Sequence, residues 1–253
     1  MRRSLFPALL FVSLQLAAQP GLTGPFYVAA KSGLSLREKK DAKSKLIVTI
    51  PYGAKLSVTY PDDIVNINID GIEGAWAKTT FNGKTGYIVN TYLLPWPPPK
   101  TTVKTMKQYF SQVSTVAGQP VIIKNGSIEF LEAGGSNIKK QIFRNGAEYH
   151  EETFYEANDD TYFLPGFTIQ QGFILLRLIP EFKDVFGADE SFPVASKTFT
   201  KNGHEYRLTV DAVVTGDYSW INKISIEYED GAVYNFHLFL LGGQLVINYG
   251  GGV

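Results

Sequence analysis

The chain has 253 residues, and its 24 lysines and arginines balance its 24 aspartates and glutamates, so the formal net charge at pH 7 is zero. A nucleic-acid-binding protein needs a basic surplus or a basic stripe to neutralise phosphates, and the sequence has neither. The chain also lacks cysteine, which excludes a disulfide framework, a cysteine nucleophile and a lipid-modified cysteine anchor. Its length is compatible with one large domain or two of ordinary size.

The first residues, MRRSLFPALLFVSLQLAAQPG, have the composition of a secretory signal peptide. Two arginines supply the positive end, an apolar stretch runs from Leu5 to Leu16, and two alanines precede a cleavage point before Gln19. The apolar stretch is shorter than the about 20 residues that a membrane span requires. We therefore predict that residues 1–18 are a signal peptide. The mature chain is expected to be exported, periplasmic or secreted, with no membrane span.

Residues 28–94 contain short apolar-alternating runs, which are typical of β-strands. Turn residues separate these runs at Pro51-Tyr52-Gly53, Asp70-Gly71 and Asn82-Gly83. No run keeps the spacing of a helix. The pattern predicts a small all-β domain within residues 22–95.

A proline-rich segment, LLPWPPPKTT, follows this domain. Proline cannot donate a backbone hydrogen bond to a sheet, and consecutive prolines favour a stiff extended rod. We predict that residues 96–101 are a semi-rigid linker between two domains. The alternative is that Pro95 to Pro98, a Pro-x-x-P sequence, docks on an aromatic groove of a partner.

Residues 102–253 mix helical and strand patterns. Helices are predicted in TTVKTMKQYFSQVSTVAG and in TIQQGFILLRLIPEF, where apolar residues recur at three- and four-residue spacing. Hairpin turns are predicted at four dipeptides, Asn125-Gly126, Asn145-Gly146, Asn202-Gly203 and Asp230-Gly231. We expect a C-terminal α+β domain, an antiparallel sheet with one or two helices, in a chain that is mainly β. A closed barrel of the ligand-carrier kind is the alternative.

Five short motifs occur in order within residues 26–95. They are Leu34-Ser35-Leu36-Arg37, Pro51-Tyr52-Gly53, Gly74-Ala75-Trp76, Asn82-Gly83-Lys84-Thr85-Gly86-Tyr87 and Tyr92-Leu93. With these motifs the region resembles the bacterial SH3 (SH3b) family. The resemblance implies an SH3-like β-barrel that is typically non-catalytic, and many members are linked with binding cell-wall peptide or glycan. For the C-terminal region no family resemblance was found.

Four aromatic residues are the expected ligand-binding residues: Tyr52, Trp76, Tyr87 and Tyr92. Counting by two along the strand places Trp76 on the same face as Lys78, and a tryptophan on a polar face is a stacking platform for a sugar or a peptide. The three tyrosines would border the same groove. The alternative is that these rings fill the ends of a small barrel that has little core of its own.

The sequence EYHEETFYEANDD is the densest polar stretch. On a strand, Glu148, His150 and Glu152 would share one face, which could hold a metal or an acid–base pair. The alternative is the solvated face of an edge strand that is protected by charge. No motif of a metalloenzyme, a serine hydrolase or a phosphate-binding loop accompanies these residues, so we predict no catalytic residue, no metal and no cofactor.

The sequence favours an exported binding protein of the cell envelope, not an enzyme. Its SH3-like region would recognise cell-wall peptide or glycan, or a partner protein of the envelope, and its C-terminal domain would be a further interaction module. The alternative is a cell-wall hydrolase whose C-terminal domain is catalytic and whose SH3-like domain targets the substrate. A third possibility is that both domains are structural parts of an envelope assembly.

Overall fold

The computed structural model describes residues 25–216 and 218–252. The predicted signal peptide, residues 1–18, lies outside the described residues. The chain is mainly β, as predicted, and its strands form two antiparallel sheets of eight and nine strands. No helix in the described ranges has the length and apolar character needed to cross a membrane.

The N-terminal sheet contains the first eight strands. They are β1 (Pro25–Val28), β2 (Leu34–Arg37), β3 (Leu46–Ile50), β4 (Lys55–Thr59), β5 (Asn66–Ile69), β6 (Ile72–Phe81), β7 (Lys84–Val89) and β8 (Leu93–Leu94). Their order is β3-β2-β7-β6-β4-β1-β8, and β5 pairs with β6 beside this path. Since no pairing joins β3 to β8 in the described chain, the sheet is open and a closed barrel is not confirmed.

Local turn chemistry connects these strands as the sequence predicted. Asp70-Gly71 joins β5 to β6 with φ of 54° and 78°, and Asn82-Gly83 joins β6 to β7 with φ of 48° and 74°. Two successive residues of positive φ form the turn whose twist matches a hairpin, and asparagine, aspartate and glycine tolerate it best. The apolar faces of the strands then enclose a small core around Leu36, Ile50 and Ile88.

The C-terminal sheet contains nine strands. They are β9 (Val121–Lys124), β10 (Asn137–Ile142), β11 (Glu148–Thr153), β12 (Ala157–Pro165), β13 (Lys197–Lys201), β14 (His204–Thr215), β15 (Tyr218–Glu229), β16 (Val233–Leu241) and β17 (Gln244–Gly252). The order is β13-β14-β15-β16-β17-β12-β11-β10-β9. No pairing joins the edge strands β13 and β9 within the described residues, so the antiparallel sheet is confirmed and the closed-barrel alternative is wrong.

Three helices accompany this sheet: α1 (Met106–Val113), α2 (Ile128–Glu132) and α3 (Ile169–Leu178). The helix α3 begins at a capping box, in which the Thr168 side chain accepts from the backbone of Gln171 and the Gln171 side chain accepts from the backbone of Thr168. The two predicted helices are present, but α2 was not predicted. It follows Asn125-Gly126, which therefore does not form the expected hairpin.

The main hydrophobic core lies between the helices α1 and α3 and one face of the nine-stranded sheet, and it also includes residues of the N-terminal sheet. Ala29, Ile72 and Leu94 are buried in the same cluster as the aromatic residues of α1 and α3. The buried Gln171 side chain donates from Nε2 to the carbonyl of Leu93 at 3.1 Å. The two sheets therefore share a core.

The proline-rich segment is packed between the two halves. Pro98 and Pro99 are buried, and the carbonyls of residues 97, 98 and 99 accept hydrogen bonds from Tyr109 (3.1 Å), Gln112 (3.0 Å) and Tyr52 (2.7 Å) respectively. Residues 96–101, predicted as a semi-rigid linker between two domains, thus pack against both halves through these contacts. Proline lacks the backbone donor, but its carbonyl and its apolar ring still pack against neighbouring elements. The division into two domains is not confirmed.

Candidate ligand-binding site

Trp76 is buried, with 4% of its surface exposed. The expectation of an exposed ring is wrong, although the same face of β6 is exposed farther along, at Lys78. The stretch before Trp76 folds back as β5 and pairs with β6, and Val65 accepts a hydrogen bond from the Trp76 backbone at 3.0 Å. Because Ala75, Trp76 and Ala77 are all buried, β6 is covered on both faces at this point.

The three tyrosines, which were expected to border one groove, have different contact partners. Tyr52 is half-buried and donates its hydroxyl to the carbonyl of Pro99, and burial raises the pKa of Tyr52 to about 12. Tyr87 is half-buried on β7, opposite Lys78 of β6. Tyr92 donates its hydroxyl to Asp70 Oδ2 at 2.6 Å. Of the four predicted residues, Tyr92 lines a cleft between the N-terminal half and the helix α3.

This cleft has a volume of about 460 Å³ and is built from both halves of the chain. Its apolar wall consists of small and aliphatic side chains: Ala29, Ala30, Ile69, Ile174 and Leu178. Its charged groups are of both signs, with Lys31 and Arg177 against Asp70 and Asp189. A concave site with an apolar wall and a few polar groups is the usual form of a ligand site.

Tyr92 and Asp70 form the N-terminal side of the cleft. Burial raises the pKa of the Tyr92 hydroxyl, the hydrogen bond to the Asp70 carboxylate and its charge raise it further, and the positive charge of Arg177 acts in the opposite direction. The position of Asp70 is fixed by its turn, and its backbone carbonyl accepts from the Phe192 amide at 2.7 Å. Thus the carboxylate is held at the junction of the two halves.

Arg177 in the last turn of α3 supplies the C-terminal side. Its Nε donates to the Ala188 carbonyl at 2.9 Å, its Nη2 reaches the same oxygen, and the guanidinium lies 5.2 Å from the centre of the Phe173 ring. Its Nη1 is buried and has no hydrogen-bond partner among the described residues. Arg177 forms no ion pair with a carboxylate in the described ranges. The cleft therefore carries a positive charge that the protein itself does not neutralise by direct contact.

The polar stretch on β11 is used in internal contacts. Glu148 contacts Lys140 at 2.5 Å and His150 at 3.2 Å; burial alone would raise the pKa of Glu148, but these two partners outweigh it and lower the pKa. Glu152 accepts from the hydroxyl of Ser136 at 2.5 Å. Within the described part of the chain no group of three histidines, cysteines or acidic residues could hold a metal ion.

The sequence prediction missed Asp70 and Arg177. Arg177 stands inside the apolar run FILLRLI. A lone arginine in such a run could have indicated a functional residue, because arginine is rarely placed among apolar residues without a role or a partner. Asp70 was seen only as a turn residue. Its position beside Tyr92 follows from the fold, since 22 residues separate them in the chain.

Comparisons of the chain with protein-family models, with curated proteins and with solved structures found no match. The resemblance to the bacterial SH3 family thus rests on the short motifs of residues 34–93 alone. Any ligand class proposed for the cleft therefore rests on the chemistry of the residues that line it.

Proposed function

We propose that the protein is an exported binding protein of the cell envelope that holds a cell-wall peptide in the cleft between its N-terminal sheet and the helix α3. The observation that carries this proposal is the pairing of Arg177, which lacks a carboxylate partner, with the Tyr92–Asp70 hydrogen bond in one cleft. The motifs of the SH3-like region and the leader-like residues 1–18 support the same assignment.

Charges of both signs suit a short peptide with free carboxyl and amino groups. Arg177 and Lys31 would attract the carboxylate, and charge-assisted hydrogen bonds from arginine to carboxylate are among the strong ones. Asp70 and Asp189 would attract the amino group. The small apolar wall around Ala29 and Ala30 leaves room for methyl-sized side chains.

The size of the cleft agrees with a short ligand rather than with a folded partner. Its volume of about 460 Å³ lies within the usual range of roughly 300–1,000 Å³ for small-molecule sites. A long glycan strand would extend beyond it. We therefore place the peptide, not the sugar, in the cleft.

A cell-wall hydrolase is the second candidate, because two carboxyl groups, Asp159 and Glu152, lie opposite each other on neighbouring strands. Burial raises the pKa of Asp159, and the charges of Glu152 and Asp160 raise it further. Glu152 lies directly opposite Asp159 on the neighbouring strand. A raised pKa beside a second carboxylate is what an acid–base pair in glycan cleavage requires.

Calorimetric titration of the purified chain with soluble cell-wall fragments tests the proposal. Fragments that carry their peptide should bind, whereas the same glycan without peptide should not. Chromatography of the fragments after incubation separates the two candidates, since a hydrolase would shorten them and a binding protein would leave them intact.

Two substitutions locate the site. Arg177→Gln should weaken peptide binding by about tenfold or more, because it removes a charge-assisted contact, and the exposed Lys31→Ala by up to about fivefold. The matched control is Lys55→Ala, an exposed lysine outside the cleft, which should bind as the unmodified chain does. Equal binding of the peptide-free glycan, or full binding by an Arg177→Gln protein that remains folded, would contradict the proposal.

A further inference from the structure

The side chains of Tyr92 and Asp70 offer the cleft hydrogen-bond acceptors but no donor. The Tyr92 hydroxyl donates to Asp70 Oδ2 at 2.6 Å, so its single hydrogen is committed to that carboxylate. A hydroxyl has one hydrogen and two lone pairs, and a carboxylate can only accept. A ligand group that contacts the Tyr92 oxygen must therefore be a donor.

The opposite side of the cleft offers only donors. Arg177 and Lys31 both line the cleft, and neither side chain has an acceptor atom. The Ala188 carbonyl occupies Nε and Nη2 of Arg177. The buried Nη1 has no hydrogen-bond partner in the part of the chain that the structure describes. One nitrogen of the guanidinium is thus left for an acceptor of the ligand.

The acceptor side and the donor side meet near Tyr92. Burial raises the pKa of the Tyr92 hydroxyl most, the contact with Asp70 raises it further, and the positive charge of Arg177 lowers it. The interaction of a charge with another group weakens with distance, so the Tyr92 oxygen and the Arg177 guanidinium border the same part of the cleft. A ligand that fills this part must carry a donor and an acceptor within a few atoms of each other.

We propose that the cleft recognises the last residue of a peptide at two points, and that Tyr92 determines this specificity. The terminal carboxylate binds Nη1 of Arg177, and the backbone N–H of the same residue donates to the Tyr92 oxygen. In an amino acid residue these two groups are attached to one carbon atom, which gives the short spacing that the cleft requires. This mode of recognition rests on the proposed function, since it assigns the end of the cell-wall peptide that the cleft holds.

The atom that precedes the last residue's α-carbon decides which ligands bind. An amide places an N–H against the lone pair of the Tyr92 oxygen. An ester places a second oxygen there, so that two acceptors face each other without a hydrogen, and the loss of such a bond in a partly buried site weakens binding by about tenfold or more. Because Ala29 and Ala30 form a small apolar wall, a terminal alanine is the simplest residue that fits.

Asp70 acts on this specificity through Tyr92 and is a positioning residue. Its carboxylate takes the hydroxyl hydrogen of Tyr92 in a charge-assisted hydrogen bond, which is stronger than one between neutral groups. The Phe192 amide donates to the Asp70 backbone carbonyl at 2.7 Å and holds the turn in place. Without the negative charge, the Tyr92 hydroxyl is free to rotate and to donate to an ester oxygen.

Calorimetric titration of the full chain with three matched probes tests this specificity. The probes are acetyl-alanyl-alanine, its ester analogue with lactic acid in the last position, and its C-terminal carboxamide. Acetyl-alanyl-alanine should bind, and the ester should bind about tenfold or more weakly. The carboxamide should also bind more weakly, because it brings no negative charge to Arg177.

Two variants separate the roles of Tyr92 and Asp70. Tyr92→Phe removes the acceptor, and the affinities for the amide and the ester should then agree within about twofold. Asp70→Asn should narrow the difference by strengthening the binding of the ester, which a merely loosened cleft would not do. The control is Tyr155→Phe, a 52% exposed tyrosine outside the cleft, which should keep the ratio of the unmodified chain. Melting curves check that each variant is folded.

The outcomes distinguish this specificity from the proposed function. Equal binding of the amide and the ester by the unmodified chain, or a ratio that a folded Tyr92→Phe protein leaves unchanged, would overturn the role of Tyr92 alone. Binding of the peptide-carrying cell-wall fragments but of none of the three probes would overturn recognition of the last residue. Failure of the fragments to bind would refute the proposed function, and this specificity with it.

Discussion

The two sheets should unfold as one cooperative unit, and Leu94→Ala tests this. Leu94 is fully buried; it belongs by pairing to the N-terminal sheet, where it lies opposite Tyr27, but by packing to the core under α1 and α3. Truncating its side chain therefore leaves a cavity at the boundary of the two halves. If the two halves depend on each other for stability, this substitution lowers the free energy of unfolding of the whole molecule.

The expected loss of stability in Leu94→Ala follows from the complete burial of the leucine side chain. Replacing a fully buried leucine by alanine costs about 2–5 kcal/mol, and the cost is larger where the surroundings cannot collapse. Leu94 sits between a strand and a helical layer, so we expect about 3 kcal/mol. For a domain of this size each kcal/mol lowers the melting temperature by roughly 2–4 °C, so the shift should be roughly 6–12 °C.

Scanning calorimetry together with tryptophan fluorescence and circular dichroism measures the effect. The unmodified chain should show one transition whose calorimetric and van't Hoff enthalpies agree. The control is Leu36→Ala, an equally buried leucine that packs only in the N-terminal core; in a cooperative protein it also shifts the single transition. Two separate transitions, of which each variant moves one, would refute a shared fold and restore the division at residues 96–101.

Three further predictions address single positions. Trp76→Ala should lower stability by about 3–5 kcal/mol in thermal melts, as for a core aromatic; a folded variant with normal melting and lost ligand binding would instead return the ring to the binding site. Asp159→Asn should raise the melting temperature at neutral pH, because the pKa of Asp159 is raised in the folded state and its ionised form therefore lowers the stability. This loss of stability fades as the pH falls through that pKa towards 3.8. The increase in melting temperature caused by the substitution should fade over the same pH range. Gly250→Ala should cost about 1–3 kcal/mol by overpacking, since a Cβ there would clash with Asp159 Oδ1 and with the Asn158 carbonyl oxygen. Gly118→Ala, with open space around it, is the control for the same melting experiment.

The parts of the fold that the sequence predicted are those governed by local chemistry. The dipeptides Asn82-Gly83 and Asn202-Gly203 adopt positive φ at both residues and join consecutive strands, because few other residues tolerate that conformation. The helix α3 starts at a threonine cap and presents apolar residues at helical spacing. Such signals lie within a few residues of one another, so no knowledge of the tertiary fold is needed to interpret them.

The residues whose surroundings were predicted wrongly are not governed by local chemistry, since the groups that surround them come from distant parts of the chain. Counting by two along β6 assumes that one face of the strand meets solvent, but Ala75, Trp76 and Ala77 are all buried, so both faces are covered at Trp76. The proline segment was predicted to be a semi-rigid linker because proline cannot join a ladder and consecutive prolines favour an extended rod. Its carbonyls instead meet hydroxyl and amide donors from Tyr52 and Gln112, and nothing in the segment itself indicates these partners.

The cleft depends most strongly on the tertiary fold, because the contacts that form it are the same contacts that join the two halves. Tyr92 and Arg177 lie 85 residues apart in the chain, and they approach only because α3 packs against the end of the N-terminal sheet. The bond from Phe192 to the Asp70 carbonyl fixes the turn that carries the Asp70 carboxylate. A change that loosens this packing, even one buried far from the charged groups, would therefore alter the distance between the positive and the negative side of the cleft. Under the proposed function, stability at the boundary and affinity in the cleft are therefore coupled through the same side chains.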